Sequence, residues 1–298
     1  MLRNSGETRL GVLCSVVASS LFALLYYYVS WLVPLDGLQI YGWRVLLTMP
    51  LVLAFVLASG RGVELLRIVR RLRKEWRLWL IIPLSSSLLG VQLWLFMWAP
   101  LNGVALAVSL GYFLLPLALV LAGRVVFRER ISTLQAVACG VALIGVINEA
   151  WMMKGISWPT VVVVVGYTAY FSLRRFMRLD NLGGMCFDML LSLPVAFYCI
   201  NFFGSSAEFS LTLSVLVLGL GLISATALAC MVVASQKLSL GLFGLLSYLE
   251  PALLVVVSLL LGERIAPAQW LTYAAIWGAI LLLLGEGVFK LRRVAGRA

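Results

Sequence analysis

Ten long apolar stretches fill this chain from Leu10 to Phe289, and nearly all of its positive charge sits in every second gap between them. Each stretch is near the ~20 residues that a helix needs to cross a bilayer. The stretches run near 10–33, 38–59, 78–98, 103–124, 133–150, 158–174, 183–203, 211–234, 240–262 and 267–289. If each one spans, the connectors alternate between two compartments. The N-terminus, 60–77, 124–132, 174–182, 235–239 and the C-terminus together hold twenty of the 23 Lys and Arg residues. The opposite set holds only Lys154 and Arg264, and Arg44 lies inside a stretch. Positive residues resist translocation, so this pattern predicts an all-α polytopic membrane protein with ten spans and both termini cytoplasmic.

At 63% hydrophobic and 12% charged residues, with a mean hydropathy of +1.06, the composition excludes a water-soluble globule. A net charge of +11 would suit a nucleic-acid binder, but the basic residues lie at span ends. The longest run, Arg67, Arg70, Arg71, Arg73, Lys74 and Arg77, points to anionic lipid headgroups as its partner, and no nucleic-acid partner is expected. Leu10–Val33 is too long for the apolar core of a signal peptide and reads as the first span. The five cysteines lie within apolar stretches without CxxC spacing, so neither disulfides nor a metal site is expected. The chain has no His and no HExxH or GxSxG pattern, which leaves metal-dependent and Ser–His catalysis without candidates. No enzyme activity and no cofactor are expected.

The chain also repeats itself. At an offset of 144, Asp36, Arg44, Leu46-Leu47-Thr48 and Pro50 fall on Asp180, Asp188, Leu190-Leu191-Ser192 and Pro194, and Tyr26-Tyr27 fall on Tyr170-Phe171. At an offset of 134 to 135, Pro116, Glu129-Arg130 and Gln135 fall on Pro251, Glu263-Arg264 and Gln269. The repeat divides the chain into units 1–150 and 151–298, each with five predicted spans. An odd number of spans inserts the second unit upside down relative to the first. Inverted repeats are the architecture of alternating-access transporters.

Several residues are candidates for the chemistry of transport. Glu250 lies ten residues into its stretch, about 15 Å deep at ~1.5 Å per residue, where a carboxylate usually persists only when it faces a cavity and acts. It is a candidate proton-coupling or substrate-amine site. Pro251 beside it, and Pro116 at the equivalent place in the other half, each remove a backbone donor and loosen the helix locally. Arg44 and Asp188 are repeat equivalents of opposite charge and are candidate gates, or guides for a zwitterion; the alternative for Arg44 is snorkelling to headgroups. Tyr112, Tyr248 and Trp94 are candidate pocket walls. Asn102 joins them as a lining candidate, with helix capping as its alternative. Glu129-Arg130 and Glu263-Arg264 read as interhelical salt bridges or caps.

The segment Trp94-Leu95-Phe96-Met97-Trp98-Ala99-Pro100-Leu101-Asn102, followed by Ser109-Leu110-Gly111-Tyr112-Phe113-x-x-Pro116-Leu117, resembles the RarD-like branch of the EamA family, within the drug/metabolite transporter superfamily. Phe127-Arg128-Glu129-Arg130-x4-Gln135 and Gly244-Leu245-Leu246-Ser247-Tyr248-Leu249-x-Pro251, with Gly262-Glu263-Arg264 after it, fit the same pattern. The resemblance implies two inverted five-helix repeats, inner-membrane location and export of small metabolites. Arg44 matches a basic residue usual in the second helix, and Asp188 an acid common in the seventh. One departure stands out: the family's Gln-Tyr-x-Gly-Pro reads Ser247-Tyr248-Leu249-Glu250-Pro251 here.

Together these readings predict an alternating-access exporter in the cytoplasmic (inner) membrane. Its substrate is a small polar or zwitterionic metabolite, an amino acid or a derivative of one, and protons are the coupling ion. The alternatives are a facilitative uniporter or drug exporter of the same fold and, in a different class, a receptor or scaffold. The chain supplies both halves itself, so monomer and homodimer are both compatible.

Overall fold

The computed structural model describes residues 5–128, 132–152, 156–179, 181–203, 210–238, 243 and 246–295, and within these it is helical, without strands. Eleven α-helices follow one another: α1 (Ser5–Tyr28), α2 (Gly37–Ala58), α3 (Gly62–Leu72), α4 (Leu78–Leu101), α5 (Ala105–Val126), α6 (Thr133–Met152), α7 (Trp158–Phe176), α8 (Leu182–Phe202), α9 (Leu211–Lys237), α10 (Leu249–Leu260) and α11 (Trp270–Ala295). Seven helical segments among the described residues are long and apolar enough to cross a bilayer. The chain is a multi-pass helical membrane protein.

Two elements differ from the sequence expectation. The 60–77 connector contains α3, a short helix that the search for apolar spans passes over because its residues alternate between basic and apolar. In the stretch expected at 240–262 the described residues are helical at Phe243, Leu246 and Leu249–Leu260, with a turn at Ser247–Tyr248 between them. Residues Glu129, Arg130 and Asp180, which figured in the repeat, lie outside the described residues.

Local chemistry sets the helix ends. Asp36 caps α2: its Oδ1 accepts from the backbone N–H of Leu38 and of Gln39, both at 2.8 Å, and Gln39 Oε1 accepts from the Asp36 N–H at 3.3 Å. This reciprocal arrangement satisfies donors that a helix start leaves open. Asn181 does the same for α8, its Oδ1 accepting from Gly184 N–H at 2.9 Å. At the α4–α5 turn Gly103 takes φ +64°, a conformation that costs a side-chain-bearing residue about 1–2 kcal/mol. Glu263 supplies the start of α5 from elsewhere in the chain: its carboxylate accepts from Ala105 N–H at 2.6 Å and Leu106 N–H at 2.7 Å. The capping role read for this Glu from sequence is therefore observed.

The helices divide into two compact units. One comprises 1–23, 105–164 and 230–298; the other comprises 24–104 and 165–229. Each unit draws helices from both halves of the sequence repeat. In the first unit α5 lies against α10, with Ser109 Oγ 3.3 Å from Ser258 Oγ and Phe113 in one cluster with Val255 and Tyr273. Glu263 meets the start of α5 while Val255 meets its middle, so the two helices run antiparallel. The pair α6 and α11 is also antiparallel: Asn148 Nδ2 donates to Thr272 Oγ1 at 3.0 Å, and Ala138 and Ala142 pack on Ala279. Gln135 and Gln269, equated by the repeat, do the same work, each accepting a backbone N–H three residues earlier at 3.0 Å.

In the second unit α2 packs along α8, with Tyr41 and Val45 against Ala196 and Cys199. The helices approach closely at Gly42, where an added Cβ would lie 2.6 Å from the Ala196 carbonyl oxygen and 2.7 Å from Ile200 Cγ1. Membrane helices associate by close packing of small residues, since lipid supplies little hydrophobic drive. We predict that Gly42→Ala lowers stability by about 1–3 kcal/mol, read as a drop in thermal midpoint in detergent. Gly140→Ala, which meets nothing within 4 Å, leaves the midpoint unchanged or raises it.

Candidate functional site

Unit 24–104/165–229 holds a buried polar network on α4, α7 and α8. Tyr170 and Arg174 are one turn apart on α7, as are Asp188 and Ser192 on α8, so each pair shares a helix face. Asp188 is 3% and Arg174 6% exposed. Asp188 Oδ2 accepts from Arg174 Nη1 at 3.1 Å, Tyr170 OH at 3.0 Å and Ser85 Oγ at 3.1 Å. Ser86 Oγ donates to the Asp188 carbonyl at 2.7 Å and lies 3.1 Å from Ser192 Oγ. Arg174 also contacts the Tyr170 hydroxyl. Its remaining N–H groups go to backbone, with Nε on Leu179 O at 3.1 Å and Nη2 on Leu179 O at 2.6 Å and Asn181 O at 2.7 Å.

The sequence reading assigned Arg174 to the basic connector 174–182. It instead sits in the last turn of α7 as the buried partner of Asp188. The Asp188 carboxylate gathers three donors, one of them the charged Arg174, and the Arg in turn holds the chain entering α8. Only a contact spanning the α7–α8 turn joins the two, so hydropathy alone assigned Arg174 to the loop. Ser85 and Ser86 were missed as well; the signal was a Ser85-Ser86-Ser87 run inside an apolar span, where hydroxyls seek partners.

Arg44 lies in the same unit, 4% exposed, with its Nε donating to Ser224 Oγ at 3.0 Å and its guanidinium 5.3 Å from the centroid of the Phe96 ring. The side chain is thus turned into the protein rather than out to headgroups. One turn further on, the fully buried Thr48 has no hydrogen-bond partner for its hydroxyl among the described residues. Trp94 packs on the Tyr41–Ala196 cluster and 5.5 Å from the Trp98 ring, and its buried Nε1 likewise lacks a partner there. Asn102 takes the capping alternative: it is exposed at the end of α4 and donates to Trp98 O at 2.8 Å.

Glu250 belongs to the other unit. It occupies the first turn of α10, immediately after the Ser247–Tyr248 turn, and borders a small cavity of about 10 Å3 with Ser15, Ser19, Phe22, Met231 and Ser247. Ser15 and Ser19 are buried on one face of α1. That volume suits one water at most. Pro251 is buried in the same turn, where its missing N–H is among those a helix start leaves unbonded. Pro116 lies inside α5. Tyr248 packs against the Leu110–Phe113–Tyr273 cluster, and Tyr112 neighbours Phe113 on α5. A second buried carboxylate escaped the sequence reading: Glu149 on α6, 5% exposed, whose Oε1 accepts from Gln269 Nε2 at 2.8 Å.

A multi-pass helical protein that holds charged and hydroxyl side chains within its spans has the make-up of a membrane transporter, and its relatives agree. The chloramphenicol-sensitive protein RarD of Pseudomonas aeruginosa is 44% identical over 300 residues, covering 99% of each chain. An uncharacterized transporter of Haemophilus influenzae is 40% identical over 94% of this chain and 95% of its own. Protein RarD of Escherichia coli is 25% identical over 97% of this chain and 98% of its own. A crystal structure of a protein that is 18% identical superposes with a TM-score of 0.59 over 95% of this chain and 98% of its own, which shows the shared fold. No protein-family model matches. The chain belongs to the RarD-like family of transporters.

The buried pair generates a direct prediction. Removing one partner of a buried ion pair leaves an uncompensated charge and costs about 3–5 kcal/mol. Asp188→Asn should therefore destabilise the protein by about that much, and Arg174→Gln should too. In the double variant the loss should fall well short of the sum, as a thermal double-mutant cycle will show.

Proposed function

We propose that the chain is a secondary transporter of the EamA type, with ten spans in two inverted five-helix repeats, both termini cytoplasmic, in the inner membrane. Alternating access exports a small polar or zwitterionic metabolite, an amino acid or a derivative of one, in exchange for protons. The observation that carries this reading is Glu250, placed in the first turn of a helix that begins at a turn inside an apolar stretch, beside a serine-lined cavity. Interrupted helices with ionisable groups at the break are how transporters build sites at bilayer depth. The packing of α5 on α10, of α6 on α11 and of α2 on α8, each helix on its repeat equivalent, supports the inverted arrangement.

In this scheme Glu250 takes up a proton in one conformation and releases it in the other. Solute and proton compete for Glu250, because a cationic group of the solute pairs with the ionised carboxylate and not with the neutral acid. Arg44, with aromatic Phe96 under its guanidinium, receives the carboxylate of the solute. The Asp188–Arg174 pair serves as a gate whose closed form is the hydrogen-bonded network described above. In unit 24–104/165–229 Trp94 and Thr48 offer polar atoms without a partner among the described residues, and in the other unit Tyr112 and Tyr248 are aromatic residues near Glu250.

The name of the Pseudomonas relative favours one second reading, in which a drug such as chloramphenicol is the solute. In proteoliposomes preloaded with single amino acids or with chloramphenicol, an inward proton gradient should drive solute release. Glu250→Gln should lower gradient-driven release about ten- to a hundredfold. Gradient-driven release that survives in Glu250→Gln would remove Glu250 from coupling, and release indifferent to the gradient in the unmodified protein would identify a uniporter.

A further inference from the structure

The short helix α3 is built differently from the spans. Its buried side is Ile68, 2% exposed, packed with Leu78, Ile82 and Leu179. At 100° per residue from Ile68, Val69 lies about 100°, Leu66 about 160°, Arg70 about 200° and Arg67 about 260° around the helix, so apolar and basic side chains are interleaved over its outer face, with Arg73 and Lys74 just past its end. Leu66, Val69, Arg67, Arg70, Arg73 and Lys74 are all exposed, as are Trp76 and Trp79 at 70% and 65%. An outer face that interleaves exposed apolar and basic side chains, with flanking Trp residues, describes a helix lying in the headgroup layer of a negatively charged leaflet. Long Arg and Lys stems reach from among the apolar side chains to the phosphates.

The inner side of α3 holds the turn that leads into α8. Arg71 Nη1 donates to the Met177 carbonyl at 2.9 Å, and Glu75 steadies the same guanidinium with two bonds of 2.9 Å. That contact holds the Glu75 carboxyl below its ordinary value. Glu64 Oε2 accepts from Gly183 N–H at 3.0 Å, and α3 comes so close that a Cβ on Gly183 would lie 2.8 Å from Glu64 Cβ. From its other side the turn is held by Arg174, on Leu179 O and Asn181 O. The same Arg174 pairs with Asp188. The backbone of this turn is thus gripped by α3 on one side and by the buried ion pair on the other.

We propose that α3 is a sensor of anionic lipid. Seated in a negatively charged leaflet, it stiffens the α7–α8 turn through Arg71 and Glu64 and so steadies the Arg174–Asp188 pair; in a neutral leaflet the turn loosens. The partner is the charged lipid surface, recognised by summed charge and apolar insertion, not by a pocket for one phosphate.

Hydrogen exchange of the full chain in nanodiscs tests this without a transport assay. Discs of phosphatidylcholine alone are compared with discs in which a third of the lipid is phosphatidylglycerol. Charged lipid should slow exchange about tenfold in peptides of α3 and of the α7–α8 turn together. Replacing Arg67, Arg70, Arg73 and Lys74 by Gln should abolish both responses; replacing the three Arg by Lys should keep them. Arg71→Gln combined with Glu64→Ala should keep the response of α3 and lose that of the turn. Exchange that is indifferent to lipid charge overturns the proposal. So does a response reproduced by inorganic phosphate in neutral discs, or one lost in the Lys variant, since either identifies a phosphate site. A turn that still responds in the Arg71→Gln, Glu64→Ala double variant overturns the coupling.

Discussion

A charge in a low-dielectric interior has to be neutralised and hydrogen-bonded where it stands, and the unit built on α2, α4, α7 and α8 is organised around that need. Removing a carboxylate and a guanidinium from water costs several kcal/mol each even after relaxation. The cost is offset only when geometry satisfies both groups. Asp188 obtains Arg174, Tyr170 and Ser85; Arg174 obtains Asp188 and two backbone carbonyls. Three helices and the turn into α8 are fixed relative to one another by these bonds. In the proposed gate this network is made in one state and broken in the other, a switch that a continuously deformable apolar interface does not provide.

Much of the fold was legible because lipid enforces it. Backbone groups have no partner in hydrocarbon, so a twenty-residue apolar stretch is committed to helix, and most of the predicted stretches fall on described helices, that at 240–262 only in part. Capping was legible at Glu263, which behaves as its position indicates, while the cap that Asp36 and Gln39 form at α2 was not foreseen. Hydropathy failed where side-chain partners decide. Arg174 looked like a loop charge because its partner is fourteen residues away across a turn, and α3 was hidden because amphipathic helices are short of contiguous apolar residues. The repeat suggested an acid at 180 as the counterpart of Asp36, whereas Asn181 caps α8. A one-residue shift costs the alignment nothing and moves the cap to a different side chain.

The site was legible in part. Glu250 stood out as an acid deep in an apolar stretch, but the turn just before it was not visible, since Ser247-Tyr248 reads as ordinary apolar-span sequence. Arg44 stood out by charge, while its partners Ser224 and Phe96 are 180 and 52 residues from it along the chain or near that, and no local pattern reports them. Trp94 was expected as a pocket wall, but the lack of a partner among the described residues for its buried Nε1, and for the Thr48 hydroxyl, emerges only from the structure. Such atoms are expensive unless something binds them, and along a solute path the solute itself can do so.

The central claim is that a small polar solute and a proton move in opposite directions through this chain. The most direct measurement uses the unmodified protein in proteoliposomes loaded with one amino acid at a time and with a trapped pH indicator. On dilution into solute-free medium of the same pH, the account predicts that for the transported amino acid the lumen acidifies as solute leaves, in step with efflux. Efflux with a lumen pH that follows protein-free vesicles would contradict it.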